Sequence, residues 1–229
     1  MNSKPAGNKH TLHGPPLNRP SLPVAYTTVA GQNLRRIESL SDGVFSIAMT
    51  LLVLNLRVPA AALVRTEADV GPALLGLLPS IGGYVLGFLS LGIFWVCQST
   101  QFTYLEHSDR RLAWWHIAFL LVVGLLPFST AFLTTHFPLR GAVLVYWANL
   151  LLVGAALLGS YRYAQRHSML RAVDAAVSQA LVRRIVLMQV LYAAAAGMCF
   201  LSVYAGAILL LLVQLNYALG LVADRWLGD

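Results

Sequence analysis

Arg36, Glu38, Ser39, Ser41 and Asp42 stand together at the mouth of an apolar run, FSIAMTLLVLNL. In water this would be an ordinary helix start. At the edge of a hydrocarbon layer it is costly. A carboxylate there needs a counter-charge, a hydrogen-bond donor or water, so it marks a functional site by default. At 100° per residue, Arg36 and Asp42 lie about 240° apart around a helix and cannot pair along it. Glu38 and Asp42, at i and i+4, share a face and repel unless something cationic lies between them. Arg36 can snorkel to lipid headgroups. Asp42 must find water, a headgroup or another helix.

The same wheel places Gly43, Ile47, Thr50, Leu51 and Leu54 along one stripe. Such a stripe is ordinarily a helix-packing surface. The functional alternative is a pore. If several copies of this helix surround an axis, Ile47 and Leu54 form apolar rings that can gate by dewetting. Thr50 beside them can then offer oxygen to a passing cation.

The elements that would hold these residues are membrane helices. Of the 229 residues, 58% are hydrophobic and 11% charged. Soluble domains carry roughly 25% charged residues, so lipid must solvate most of these side chains. The net charge of +7 lies in loops between apolar runs, where membrane topology accounts for it and nucleic acid is not called for. Cys97 and Cys199 sit inside apolar runs and read as small membrane-buried side chains, neither a disulfide framework nor a metal site. Residues 1–34 read as a disordered cytoplasmic tail without the apolar core of a signal peptide.

A spanning helix needs about 20 mostly apolar residues. Six segments qualify: Arg36–Leu56, Ala73–Gln101, Leu112–Thr135, Gly141–Ala164, and the block Ile185–Val222 divided near Ser202–Gly206. A single very long last helix is the alternative to that division. With six spans, one side holds Lys4, Lys9, Arg19, Arg35, Arg36, Arg110, Arg111, Arg162, Arg166, Arg171, Arg183, Arg184 and Arg225. The other holds Arg57, Arg65 and Arg140. The positive-inside rule then puts both termini in the cytoplasm. The expected fold is an all-α membrane protein, a six-transmembrane helical bundle over residues 35–225 with a short tail at 226–229.

Other chemistry is sparse. His116 alone among the histidines lies near a span interior, and it reads as a solvated interfacial residue. No helix carries paired histidines at haem or zinc spacing, so no metal, cofactor or catalytic role is expected. No carboxylate lies deep in a span, which counts against a proton-coupled carrier. Asn55, Asn149, Gln189, Gln214 and Asn216 read as interhelical hydrogen-bonding spots. Trp114, Trp115, Tyr146, Trp147, Tyr161, Tyr163 and Trp226 read as an aromatic belt. Arg162–Arg184 reads as a basic cytoplasmic loop or a helix lying on anionic lipid.

RIESLSDGVFSIAMTLLVL resembles the first-helix signature of the transmembrane protein 175 family of potassium channels, in its bacterial branch. That signature has Arg, three residues, then Phe-Ser-Asp. Here Arg36 is followed after three residues by Leu40, Ser41 and Asp42, with Leu in place of Phe. GIFWV at 92–96 and LLPFSTAFL at 125–133 resemble the family's later elements, in the same order. The resemblance implies a homotetramer in a bacterial plasma membrane. Its first helices would line a central pore without a carbonyl filter, passing potassium as a leak. By motif position, Ile47 is the narrowest ring, Thr50 the hydroxyl layer near which K+ passes, and Leu51 and Leu54 further rings. Arg36, Ser41 and Asp42 knit the helix ends together. One departure stands out. Cys97, Gln98 and Ser99 occupy the place where the family carries a histidine pair, so Asp42 is expected to be held by Gln98 or by Arg36 of a neighbouring helix.

Three functions remain to be distinguished: a tetrameric potassium-permeable channel, a small-solute or proton-coupled carrier with the path inside each subunit, and a non-conducting assembly protein whose stripe is only packing.

Overall fold

The computed structural model describes residues 34–171 and 175–219. The expected tails, and with them Lys4, Lys9, Arg19, Arg225 and Trp226, lie outside the described residues.

Helix α1 (Leu34–Leu51) continues into a 3-10 turn at Leu52–Asn55. Ser41, Phe45, Ala48 and Leu52, spaced by four, three and four, are its buried face. A short helix, α2 (Glu67–Leu75), follows. Its start is closed by a reciprocal cap: Thr66 and Asp69 satisfy each other's exposed backbone donors. The expected second span, Ala73–Gln101, is interrupted at Gly76–Leu77. Its first residues belong to α2, and the long helix α3 (Leu78–Tyr104) starts afresh with Pro79 in its first turn, where a missing N–H costs nothing.

The third span is also divided, into α4 (Arg110–Gly124) and α5 (Leu126–Thr135). Asp109 caps α4 by accepting from the Leu112 amide at 2.7 Å. Pro127 explains the break, since it lacks a backbone donor and its ring crowds the preceding turn. Helix α6 (Arg140–Arg166) absorbs Arg162 and Arg166, and α7 (Ala175–Met198) carries Arg183 and Arg184. Two of the residues read as a basic loop thus end one helix and two others lie on the next.

Helix α8 (Val203–Ala218) completes the bundle. The turn before it is Cys199–Ser202, a few residues earlier than expected, and Tyr204 and Gly206 are helical. Ser202 fixes the position by capping α8 through the Ala205 amide. A Cβ on Gly206 would collide with Ala195 and Cys199, so its bare backbone lets α8 fold back on α7. The single very long helix is excluded. Among the described residues, five segments have the length and apolarity to cross a bilayer: 34–55, 78–104, 110–135, 140–166 and 176–198. The sixth, α8, has 16 residues.

Backbone groups in lipid must be satisfied within each segment, and helices do this. Helix α6 packs against α4, α5 and α7, α3 against α5 and α8, and α1 against α3 and α4. Phe45, Leu91, Phe119, Leu126, Tyr146 and Leu210 are among the residues of one continuous core.

Candidate functional site

Helix α1 has two unlike faces. Phe45, Ala48 and Leu52 are at most 3% exposed, while Ile47 is 60%, Leu51 44% and Leu54 70% exposed. Thr50 is exposed as well, and a Cβ on Gly43 would meet nothing within 4 Å. All five residues of the stripe therefore lie on the surface of the protomer. The Thr50 hydroxyl donates to the Ile47 carbonyl at 2.8 Å. That bond uses its proton, and its lone pairs stay available as acceptors.

At the other end of α1, Ser41 is buried and its hydroxyl donates to the Ile37 carbonyl on its own helix at 2.9 Å. Asp42 is exposed at its helix surface, and its Oδ1 accepts from the Trp95 indole Nε1 at 2.9 Å. Gln98 does not hold the carboxylate, contrary to expectation. It is 1% exposed, and its Nε2 lies 3.5 Å from the His116 Nδ1. Trp95 and Gln98 are three positions apart, about 60° round α3, and that offset takes Trp95 to Asp42 on α1 while Gln98 meets His116 on α4. The structure ties Asp42 to α3 and ties Ser41 to its own backbone, so the two neighbours do not share one network. Sequence reasoning noted the tryptophan only as part of a motif. Its role as an indole donor has no signature in spacing, because it lies 53 residues away.

His116 is also not an interfacial residue. It is 2% exposed and stacks on Phe102 with ring centroids 4.8 Å apart. The aromatic belt divides likewise. Trp114 and Trp115 are exposed, but Tyr146 and Tyr161 are buried within the bundle. Tyr146 shares a 2.6 Å hydrogen bond with Ser90, to which Gln214 donates at 2.6 Å, joining α3, α6 and α8. Asn149 donates to Ser129 at 3.0 Å, and Gln189 to the Leu150 carbonyl at 3.2 Å. These are the interhelical bonds expected of Asn149, Gln189 and Gln214. Asn55 differs, since its amide nitrogen is buried without a partner among the described residues.

Among the described residues no carboxylate is buried, and no three His, Cys, Asp or Glu side chains converge as metal ligands. The site is a helix whose polar start is tied to α3 through Asp42 and whose apolar stripe faces out of the protomer.

Comparison with known proteins agrees with this geometry. The model of the family described as "Endosomal/lysosomal potassium channel TMEM175" matches residues 36–127. A protein named as a potassium channel from Streptomyces collinus is 40% identical over 101 residues, 44% of this chain and 48% of that protein. Another so named, from Chamaesiphon minutus, is 39% identical over 101 residues, 44% of this chain and 49% of its own length. The chain thus spans about half the length of the curated relatives it matches. A crystal structure described as a lysosomal potassium-selective channel TMEM175 homolog from Chamaesiphon minutus superposes with a TM-score of 0.70 at 28% identity. It covers 81% of this chain and 96% of that one.

Proposed function

Because residues 36–127 belong to the TMEM175 family, we propose that this protein is a potassium-permeable leak channel, a homotetramer with α1 around its axis. The observation that carries the reading is the outward apolar stripe of α1, set against a fully packed opposite face. Lipid would also solvate such a face, and the match of residues 36–127 to the potassium-channel family model favours a shared axis as its neighbour. Symmetry-related copies would turn the stripe into stacked rings.

In this arrangement Ile47 forms the narrowest ring and Leu51 and Leu54 widen it. An apolar ring holds water poorly, so ions cross only when it is wide enough to wet. Thr50, its proton committed to the Ile47 carbonyl, presents oxygen lone pairs to the cation. Arg36 and Ser41 fix the helix end beside Asp42, whose bond to Trp95 sets the rotation of α1 against α3. The excess of basic residues on one side of the spans supports cytoplasmic termini, and the likeness to bacterial potassium channels supports a bacterial plasma membrane.

Potassium flux into proteoliposomes tests this. Wild-type protein passes potassium down its gradient without coupled proton movement. Ile47→Asn raises the leak and relaxes selectivity. Unchanged flux in Ile47→Asn, with the variant correctly assembled, rules out the pore assignment. Strict coupling of potassium to protons favours the carrier instead. The absence of any buried carboxylate among the described residues speaks against that alternative.

A further inference from the structure

A groove of about 670 Å³ runs between α1, α3, α7 and α8 on the outside of the protomer. Its two ends differ. Asp42, Trp95, Arg184 and Tyr217 gather at one end. Phe45, Met49, Phe88, Leu89 and Ile93 line the rest. From Asp42 to Met49 on α1, and back from Trp95 to Phe88 on α3, is seven residues of helix, about 10 Å. Gly92 forms part of the floor, and a Cβ there would meet nothing within 4 Å.

The polar end contains one positive and one negative group that do not neutralise each other. Asp42 is bonded through Oδ1 to the Trp95 indole. The Arg184 guanidinium carbon lies 4.4 Å over the Tyr217 ring, and its Nε is buried without a hydrogen bond among the described residues. No ion pair joins Arg184 to Asp42. Among the described residues neither side chain has a counter-charge, Asp42 having the Trp95 indole and Arg184 the Tyr217 side chain; a ligand carrying both opposite charges would supply what each lacks beside the hydrocarbon. Basic pockets between membrane helices are suited to phospholipid headgroups.

We infer that this groove binds a phospholipid with a zwitterionic primary-amine headgroup, of the phosphatidylethanolamine type. Its phosphate meets Arg184, its ammonium donates to Asp42, and an acyl chain lies along Met49, Phe88 and Leu89. A choline headgroup has no N–H to donate to Asp42. A glycerol headgroup brings only the negative charge and leaves Asp42 unmatched. Charge matching at one end and an apolar trough of lipid-like orientation at the other together favour this occupant. The pore assignment is not required for it.

Native mass spectrometry of the detergent-extracted protein, supplied in turn with phosphatidylethanolamine, phosphatidylcholine and phosphatidylglycerol, tests the site. Wild-type protein retains phosphatidylethanolamine in preference to the other two. Arg184→Gln weakens that retention by about tenfold or more, as loss of a charge-assisted bond should. Gly92→Leu fills the floor and abolishes it without touching a charge. Both variants keep the wild-type assembly mass. Equal retention of the three lipids, preference for phosphatidylglycerol, or undiminished retention in both variants overturns the inference. So does dissociation of the assembly in Gly92→Leu, which would give the groove to a second copy of the chain.

Discussion

The indole of Trp95 on α3 donates to the carboxylate of Asp42 on α1 at 2.9 Å. It joins the two helices through side chains and opposes rotation of α1 about its own axis. Trp95→Phe keeps the ring and removes the donor. The bond is exposed and charge-assisted, so the expected cost is about 1 kcal/mol, at the low end for such bonds. Thermal unfolding in detergent should show a lower midpoint, and Asp42→Ala should lose assembled oligomer on size exclusion. Fully assembled Asp42→Ala protein with altered conductance would mean that the carboxylate serves permeation rather than assembly.

The two faces of α1 should respond oppositely to truncation. Phe45→Ala opens a cavity beside Phe119, whose ring centroid lies 6.0 Å away. Lipid is as apolar as the core, so the loss is mainly packing. It should fall below the roughly 3–5 kcal/mol typical of such a change in aqueous cores. Leu54→Ala, on the exposed face, should leave the unfolding midpoint nearly unchanged and alter potassium flux per assembled channel. A Leu54→Ala variant with wild-type flux and reduced stability would reverse the assignment of faces.

Ser90, Tyr146 and Gln214 act as one unit. Each removal takes away a hydrogen bond within the bundle, at a cost of about 1–2 kcal/mol. Because Gln214 and Tyr146 both bond to Ser90, their truncations should not be additive. A double-mutant cycle of Gln214→Leu and Tyr146→Phe should give a measurable coupling energy. Strict additivity would separate the two contacts. Potassium flux should change little in either single variant.

The Asp69 carboxyl is held below its ordinary value of 3.8, first by the Thr66 hydroxyl and then by the backbone amides of Arg65 and Thr66. A folded value below the unfolded one means that the cap stabilises α2 above the ordinary carboxylate range. That contribution fades as pH falls through the lowered folded value. Amide exchange at the start of α2, corrected for intrinsic rates, should be flat from neutral pH to about pH 5 and should rise only below the unfolded value. Asp69→Asn should abolish the acid step. A step near neutrality would assign the titration to another group.

The sequence by itself determined the solvent, the succession of apolar segments and the alignment of Gly43, Ile47, Thr50, Leu51 and Leu54 on one side of α1, while the folded protomer decided that this side faces outward. Hydropathy and a 100° repeat are local properties, and each is complete within some twenty residues of chain. It could not determine partners. The contacts Asp42–Trp95, Gln98–His116 and Ser90–Gln214 join residues 53, 18 and 124 positions apart. Whether two such side chains meet depends on the rotation and depth of separate helices, which only their mutual packing sets. For the same reason Tyr146 and Tyr161 pass for interfacial aromatics in the sequence, while the folded bundle encloses both. Local periodicity says which way a side chain points from its own helix, and tertiary packing decides what it finds there.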